Sequence, residues 1–154
     1  MCIRDSNSNS ATKWLVIYLG DGTTGTTIGE LYNTQEMTLP FDALYHIRWK
    51  ADNSYTNAEE FGGSDWVDAG WDFTGGVFQT GDYIELRVSL LDLASPTVVD
   101  VLLYMLNEEA LSEWSYAAVP AGAFADAYDP DAAAWLRFDL SNDAPPNDPV
   151  HLMP

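Results

Sequence analysis

The chain has few basic residues and a single cysteine. Its 154 residues contain 6 Lys and Arg against 24 Asp and Glu, a formal net charge of −18. A surface with this charge repels phosphate backbones and anionic lipid headgroups, so nucleic acid is not expected as a partner. Because Cys2 is the only thiol, a disulfide within the chain is excluded. Cations, neutral ligands and basic proteins remain as partners.

Long apolar runs and common catalytic motifs are also missing. No run approaches the ~18 apolar residues that a membrane-spanning helix needs. The chain has no G-x-S-x-G, no P-loop, no H-E-x-x-H and no dinucleotide fingerprint. Its two histidines, His46 and His151, are predicted to be surface residues. No catalytic residue is therefore nominated, and we expect the chain not to be an enzyme.

The first residues differ in character from the rest. Met1–Ser6 (MCIRDS) resembles translated sequencing-adapter read-through at the head of a truncated environmental gene. On that interpretation Met1 is not a biological start and Cys2 is not native. We expect residues 1–12 to be a disordered or artefactual lead-in, since they have neither the apolar nor the basic part of a signal peptide.

Several segments have the apolar patterns of β-strands. Lys13–Leu19 and Val98–Leu106 are near-continuous apolar runs, which is typical of strands buried on both faces. Ala43–Lys50 alternates, which predicts Tyr45, Ile47 and Trp49 on a buried face and His46 on a wet one. Alternation also predicts strands at Tyr83–Leu90, Trp114–Val119 and Trp135–Leu140.

The segments between them have the composition of turns and loops. Gly20–Gly29 is predicted to be a loop or a bent edge hairpin, Pro40 to interrupt extended structure, residues 51–65 to be a surface excursion, Asn107–Glu113 to be a short helix, and residues 143–154 to be a Pro-rich tail or linker. We therefore predict an all-β chain, with one antiparallel, jelly-roll-like β-sandwich over residues 13–142 and at most one or two short helical turns.

Tryptophan is the first candidate for ligand binding. An exposed indole can stack on the C–H face of a sugar ring. Trp14 and Trp49 lie on apolar faces of predicted strands and are assigned to the core. Trp66 and Trp71 lie in a polar, Gly-flanked stretch that burial explains less well. The candidate carbohydrate-binding residues are Trp66, Trp71, Trp114 and Trp135.

Clustered carboxylates are the second candidate. Asp126, Asp129 and Asp131 fall within six residues of a predicted loop, and Ca²⁺ prefers several oxygen ligands at flexible geometry. The spacing is not that of an EF-hand, and the alternative is a solvated Asp-Pro turn. Weaker candidates for metal ligation are Asp21, Asp139 and Asp143.

One segment carries a family resemblance. Tyr83–Leu93 (YIELRVSLLDL) is a strand with an outward Glu85 that ends in a Leu-Asp-Leu bend, and a buried strand follows at Val98–Leu106. It resembles carbohydrate-binding modules of the family 9-like type, in the wider DOMON-like group, although Ser89-Leu90 replaces the usual Ile-Pro. The resemblance covers residues 43–140. It implies a secreted β-sandwich with stacking aromatic residues and structural Ca²⁺.

These observations lead to two functional hypotheses. The first is a non-catalytic, extracellular or cell-surface domain of a larger secreted protein that binds a polysaccharide or glycan, with calcium as a stabilising ion. The alternative is a structural or adhesive domain of a cell-surface protein or filament, assembling through open sheet edges at Gly20–Gly29 and Lys13–Leu19. Residues 1–50 carry a net charge of −1 and residues 51–154 a net charge of −17, so cations are expected around the later strands and loops.

Overall fold

The regular secondary structure of the described residues is almost entirely β-strand. The computed structural model describes residues 2–4, 10–32, 35–71, 73–80, 83–108, 113–141 and 150–152. Single turns of 3-10 helix lie at Ser10–Thr12 and Thr74–Gly76. Within the described residues the strands are β1 (Cys2–Arg4), β2 (Lys13–Gly20), β3 (Thr26–Ile28), β4 (Thr38–Ala43), β5 (Tyr45–Lys50), β6 (Thr56–Phe61), β7 (Trp66–Asp68), β8 (Val77–Thr80), β9 (Tyr83–Leu86), β10 (Val98–Asn107), β11 (Trp114–Val119), β12 (Trp135–Asp139) and β13 (Val150–Leu152).

The largest sheet is built around β2. Its spatial order is β13-β12-β10-β2-β5-β6-β7, and all of these neighbours pair antiparallel. Strand β10 pairs with β2 along one edge, and β11 and β12 share its other edge end to end. A second sheet has the order β1-β9-β8, and β3 and β4 form a two-stranded one. The predicted all-β, antiparallel, sandwich-like fold is confirmed.

One face of the large sheet packs beneath the second sheet. Leu15, Ile17 and Leu19 of β2 lie on this face, together with Tyr45, Ile47 and Trp49 of β5. The covering side chains include Ile84 of β9 and Phe73 and Leu93 from the flanking segments. The predicted inward face of the Ala43–Lys50 segment is therefore confirmed.

The opposite face of the same sheet is also covered. Trp14, Val16 and Tyr18 of β2 and Leu102, Tyr104 and Leu106 of β10 point to this side. Their covering residues are Met37, Leu39, Phe41 and Ala43 from the β4 region, and Ala123, Ala132 and Ala134 from the segment before β12. The prediction that Lys13–Leu19 is buried on both faces is thus confirmed, as is the central position of Val98–Leu106.

Because both faces of the sheet are covered, the face of β5 that was predicted to be exposed to solvent is buried. His46 is only 3% exposed, and Arg48 and Lys50 are half-buried. Alternation along β5 reports which residues share a face, but the outer layer that covers this face comes from distant parts of the chain. The prediction that His46 is a surface residue was wrong for this reason. The side chain of His151 lies outside the described residues.

Three element predictions also need correction. Pro40 lies inside β4, an edge strand in which a missing N–H is tolerated. The polar segment 51–65 contains β6, which pairs with β5. The strand predicted over Tyr83–Leu90 ends at Leu86, and Leu90 lies in the following turn, 48% exposed.

The two ends of the chain add backbone pairing. Strand β1 pairs with β9, and β13 pairs with β12. These strands fall in the segments predicted to be a lead-in and a tail. The predicted helix at Asn107–Glu113 lies mostly outside the described residues, as does most of the tail. No helix among the residues described here is long and apolar enough to cross a bilayer.

The topology also bears on the predicted assembly edge. Strand β2 pairs with β10 along its whole length, from Lys13 opposite Asn107 to Gly20 opposite Asp100. The other edge of β2 pairs with β5. Because both edges of β2 are hydrogen-bonded within the chain, Lys13–Leu19 has no open edge to offer to a neighbouring chain. That part of the assembly hypothesis was wrong.

Since both faces of the sheet are buried, truncating a core side chain on either face should lower the free energy of unfolding by a similar amount. Ile47 and Leu102 lie on opposite faces and are both 0% exposed. We expect Ile47→Ala and Leu102→Ala each to lower the free energy of unfolding by about 2–5 kcal/mol, because each leaves a cavity. Urea unfolding measures this. The control Leu91→Ala, at a side chain 82% exposed, should cost less than about 0.5 kcal/mol; a small loss for either buried residue would contradict the two-sided core.

Candidate functional site

The candidate site is a groove between the segment that follows β3 and the turn between β6 and β7. Its volume is about 610 Å³, within the range of ordinary ligand pockets. We call it the Trp66 groove. Its lining includes Trp66 and Phe61 on one side and Ile28 and Glu30 on the other. Two chain segments about 35 residues apart are thus brought together by the sheet.

Trp66 is held in the groove by aromatic neighbours. Its ring centroid lies 5.7 Å from that of Phe61, 5.7 Å from His46 and 5.9 Å from Tyr18, with interplanar angles of 60–62°. Its indole N–H donates to the Ile28 carbonyl oxygen at 3.3 Å, across the groove. These contacts fix the indole, while its side chain remains partly exposed. A fixed, partly exposed indole is what stacking on a flat ligand requires.

The opposite wall depends on a close approach at Gly29. The Gly29 N–H donates to the Met37 carbonyl oxygen at 2.8 Å, and the neighbouring Glu30 N–H donates to the Tyr18 hydroxyl at 2.9 Å. A Cβ at Gly29 would lie 2.8 Å from the Tyr18 hydroxyl oxygen. Glycine is therefore required for the wall to rest on the buried Tyr18.

The groove is acidic. Glu30, Glu36 and Asp65 contribute to its lining, and none of the lining residues that the structure describes is Lys, Arg or His. The pKa of Glu30 is raised, first by its partial burial and then by the negative charge of Glu59. Ionised carboxylates accept hydrogen bonds but donate none. The groove thus suits ligands that bring hydroxyl or N–H donors, and it disfavours anions.

A buried polar network lies behind Trp66. His46 Nδ1 lies 2.9 Å from Glu59 Oε2, and the Arg48 guanidinium donates to Glu59 Oε1 at 2.9 Å. The imidazole stacks on Tyr18 with a centroid distance of 4.6 Å. Asn57 Nδ2 donates a further hydrogen bond to Glu59. Since burying a charge without a partner is costly, this pairing is what lets β5 and β6 be covered here.

The network shifts two pKa values. Burial lowers the pKa of His46 below its ordinary value, because desolvation outweighs the raising effect of the hydrogen bond with Glu59. Burial alone would raise the pKa of Glu59, but the hydrogen bond from His46 and the charge of Arg48 outweigh it and lower that pKa. Neutral histidine beside ionised glutamate is therefore the favoured state near neutral pH.

The other predicted tryptophans do not join Trp66. Trp71 packs against the face beneath the second sheet, whereas Trp66 packs on the opposite face, so the two do not form one platform. The Trp135 indole N–H donates to Asp100 Oδ1 at 2.9 Å, and its ring packs near Phe41. Trp114 is 47% exposed at the start of β11. Of the four predicted residues, only Trp66 lines the groove.

The predicted calcium ligands lie in the loop before β12. Asp126, Asp129 and Asp131 are all exposed. Asp129 Oδ1 accepts a hydrogen bond from the Glu36 N–H at 3.1 Å, and Asp131 forms a parallel bridge with Thr38. Among the described residues, no three His, Cys, Asp or Glu side chains converge as a metal site. The loop thus supports the back of the Trp66 groove, and its binding of calcium stays a prediction.

The weaker metal candidates hold local turns. The Asp21 carboxylate accepts hydrogen bonds from the backbone N–H groups of Thr23 and Thr24 at 2.7 and 2.8 Å, and from both hydroxyls. Partial burial would raise the pKa of Asp21, but these hydrogen bonds lower it. Asp139 accepts from the Ser141 N–H and hydroxyl. Asp143 lies outside the described residues.

The acidic part of the groove was not predicted. Glu30 and Glu36 follow the Gly/Thr-rich segment, and Phe61 lies in the polar stretch predicted to be a surface excursion. Their spacing in the sequence does not indicate that they lie near Trp66. They are brought together by the packing of Tyr18, His46 and Trp66, which come from three different strands. The Gly-flanked position of Trp66 was the one usable signal.

Comparisons with protein-family models, with curated proteins and with solved structures find no match to this chain. The family 9-like resemblance stays a prediction.

The close approach at Gly29 gives a test of the groove wall. We expect Gly29→Ala to lower the free energy of unfolding by about 1–3 kcal/mol, because the added methyl would overlap the Tyr18 hydroxyl and the Met37 carbonyl. Gly75→Ala is the control, since a Cβ there meets nothing within 4 Å and the φ of Gly75 is not positive. Chemical denaturation measures the free energy of unfolding of both variants. Equal values would show that the chain is not closely packed against Tyr18 at Gly29.

The lowered pKa of His46 predicts the direction of a pH effect. The unfolded chain binds a proton at His46 near pH 6.5, whereas the folded chain does so only at lower pH. Stability is therefore lost as the pH falls through this window. We expect unfolding free energies at pH 7.5 and 5.5 to differ by about 1 kcal/mol more in the parent chain than in His46→Gln. Equal pH dependence in the two proteins would show that His46 titrates normally.

Proposed function

We propose that the Trp66 groove binds a carbohydrate and that the chain is a non-catalytic glycan-binding domain of an extracellular or cell-surface protein. The observation that carries the proposal is the fixed, partly exposed indole of Trp66 beside Glu30, Glu36 and Asp65 in one groove. Stacking against the ring supplies apolar contact, and the carboxylates accept hydrogen bonds from sugar hydroxyls. Together the two interactions offset the loss of the sugar's contacts with water.

The charge of the groove narrows the class of glycan. The described part of its lining holds three carboxylates and no basic side chain, and the chain carries a net charge of −18. Uronic acids and sulfated sugars would be repelled at this surface. The proposed ligand is therefore a neutral or amino-bearing polysaccharide.

The exposed apolar flanks of the groove suit an extended ligand. Ile28 and Leu31 line it and are 55% and 54% exposed. They add apolar surface on the wall opposite Trp66. A chain of several sugar units can contact this wall while one ring stacks on the indole, which is the arrangement we propose.

Removing the indole tests this proposal. We expect Trp66→Ala to weaken binding to a neutral polysaccharide at least about tenfold, the equivalent of losing about 1.5 kcal/mol of stacking. Affinity gel electrophoresis with cellulose, xylan, mannan and chitosan derivatives measures this, with alginate as the anionic comparison. Trp66→Phe should retain part of the affinity because it keeps an aromatic face.

Trp114→Ala is the matched control, because Trp114 is exposed but does not line the groove. It should bind as the parent chain does. If Trp114→Ala lost binding while Trp66→Ala kept it, the site would lie elsewhere. Retardation by none of the polysaccharides, with the parent chain folded, would overturn the proposal.

A further inference from the structure

A second, separate cavity lies between the large sheet and its covering layer. It is on the face opposite the Trp66 groove and has a volume of about 220 Å³. Its floor includes Ile17 and Leu19 of β2 and Val101 of β10. Leu86 and Val88 belong to its other side. The two layers of the fold are thus not fully in contact here.

The chemistry of this interlayer cavity is uniform. Each of the nine described residues that line it is Ile, Leu, Val or Phe. Among these side chains water would find no hydrogen-bond partner, so an apolar occupant is favoured over water. An engineered apolar cavity of about 150 Å³ is already large enough to hold benzene, and this one is larger.

The cavity reaches the protein surface. Val88 and Phe138, which line it, are half-exposed, whereas Ile47 at its floor is fully buried. The turn that follows Val88 carries Leu90 and Leu91, which are 48% and 82% exposed. A ligand can therefore enter with one end and leave the other end in solvent, beside further apolar side chains.

Shape and charge point to one type of occupant. At about 30 Å³ per water-sized group, the volume holds roughly seven methylene-sized groups. Exposed charges of both signs flank the lining residues, with Arg87 beside Val88 and Asp139 beside Phe138. The net charge of −18 opposes an anionic head. An alkyl chain with an uncharged head fits the volume, and its head is repelled neither by the acidic surface nor by Arg87.

We infer that the interlayer cavity binds the alkyl chain of a neutral amphiphile, inserted between Val88 and Phe138 with its head in solvent. This site is independent of the Trp66 groove, because the two lie on opposite faces of the large sheet. Each buried methylene contributes about 0.8 kcal/mol, equivalent to a fourfold change in affinity. The affinity should stop rising once the cavity is full.

Titration calorimetry with a series of linear alcohols from butanol to decanol tests this inference. We expect one saturable site, an affinity that rises about fourfold per methylene, and a plateau near the length that fills the cavity. The heat capacity change on binding should be negative, as burial of apolar surface requires. No saturable heat from a folded chain, up to the solubility limit of octanol, would overturn the inference.

Variants locate the site. Val88→Phe adds volume from the covering side and should weaken octanol binding at least tenfold without lowering the melting temperature. Val101→Leu fills the cavity from the sheet and serves if Val88→Phe fails to fold. Trp114→Ala and Trp66→Ala, at residues that do not line this cavity, should bind octanol as the parent chain does, which separates this result from the outcome for the Trp66 groove.

Two outcomes would contradict the location or the occupant. Undiminished octanol binding by both filling variants would place the alcohol elsewhere. A parent chain that is dimeric in sedimentation, with a monomeric Val88→Phe variant, would show that a second copy of the chain covers the cavity instead.

Discussion

Burial of the large sheet on both faces is the constraint on which the rest of the structure depends. It forces each polar side chain on the central strands to find a partner inside the protein, since water cannot reach it. Asp100 on β10 is 1% exposed and accepts hydrogen bonds from Trp135 and, at 2.7 Å each, from Arg137 Nε and Nη2. His46 on β5 is satisfied by Glu59 of the neighbouring strand. Both arrangements are cross-strand pairs that follow from the register.

The same constraint places the groove. Tyr18 projects from the most buried strand, and its hydroxyl reaches the covering segment to accept the Glu30 N–H. His46 stacks on Tyr18, and Trp66 rests against both rings. The core and the groove wall therefore share side chains. A change in packing under Tyr18 would be transmitted to the indole that faces the ligand.

Local patterns predicted the strands well and the outer layers poorly. The apolar runs at β2 and β10 are long enough that no partner needs to be known to assign them. Alternation at β5 correctly grouped Tyr45 with Ile47 and Trp49, but it left His46 on a wet face because the cover over that face comes from elsewhere in the chain. Strand β6 was not predicted, because its residues are mostly polar and it forms a strand by pairing with β5. The groove depends on such long-range packing. For this reason the sequence predicted only Trp66 among the residues that line it.

The pairing of β2 with β10 has a consequence for biosynthesis. Residues that lie opposite each other in these two strands are 80 to 94 positions apart in the sequence: Gly20 is opposite Asp100, and Lys13 is opposite Asn107. At about 5–20 residues per second, a ribosome needs roughly 4–19 s to add that length of chain. During this interval the apolar strand β2 can pair with β5, but its other edge has no partner from its own chain. Until β10 has been made, this unpaired apolar edge is a part of the nascent chain that is open to pairing with another chain.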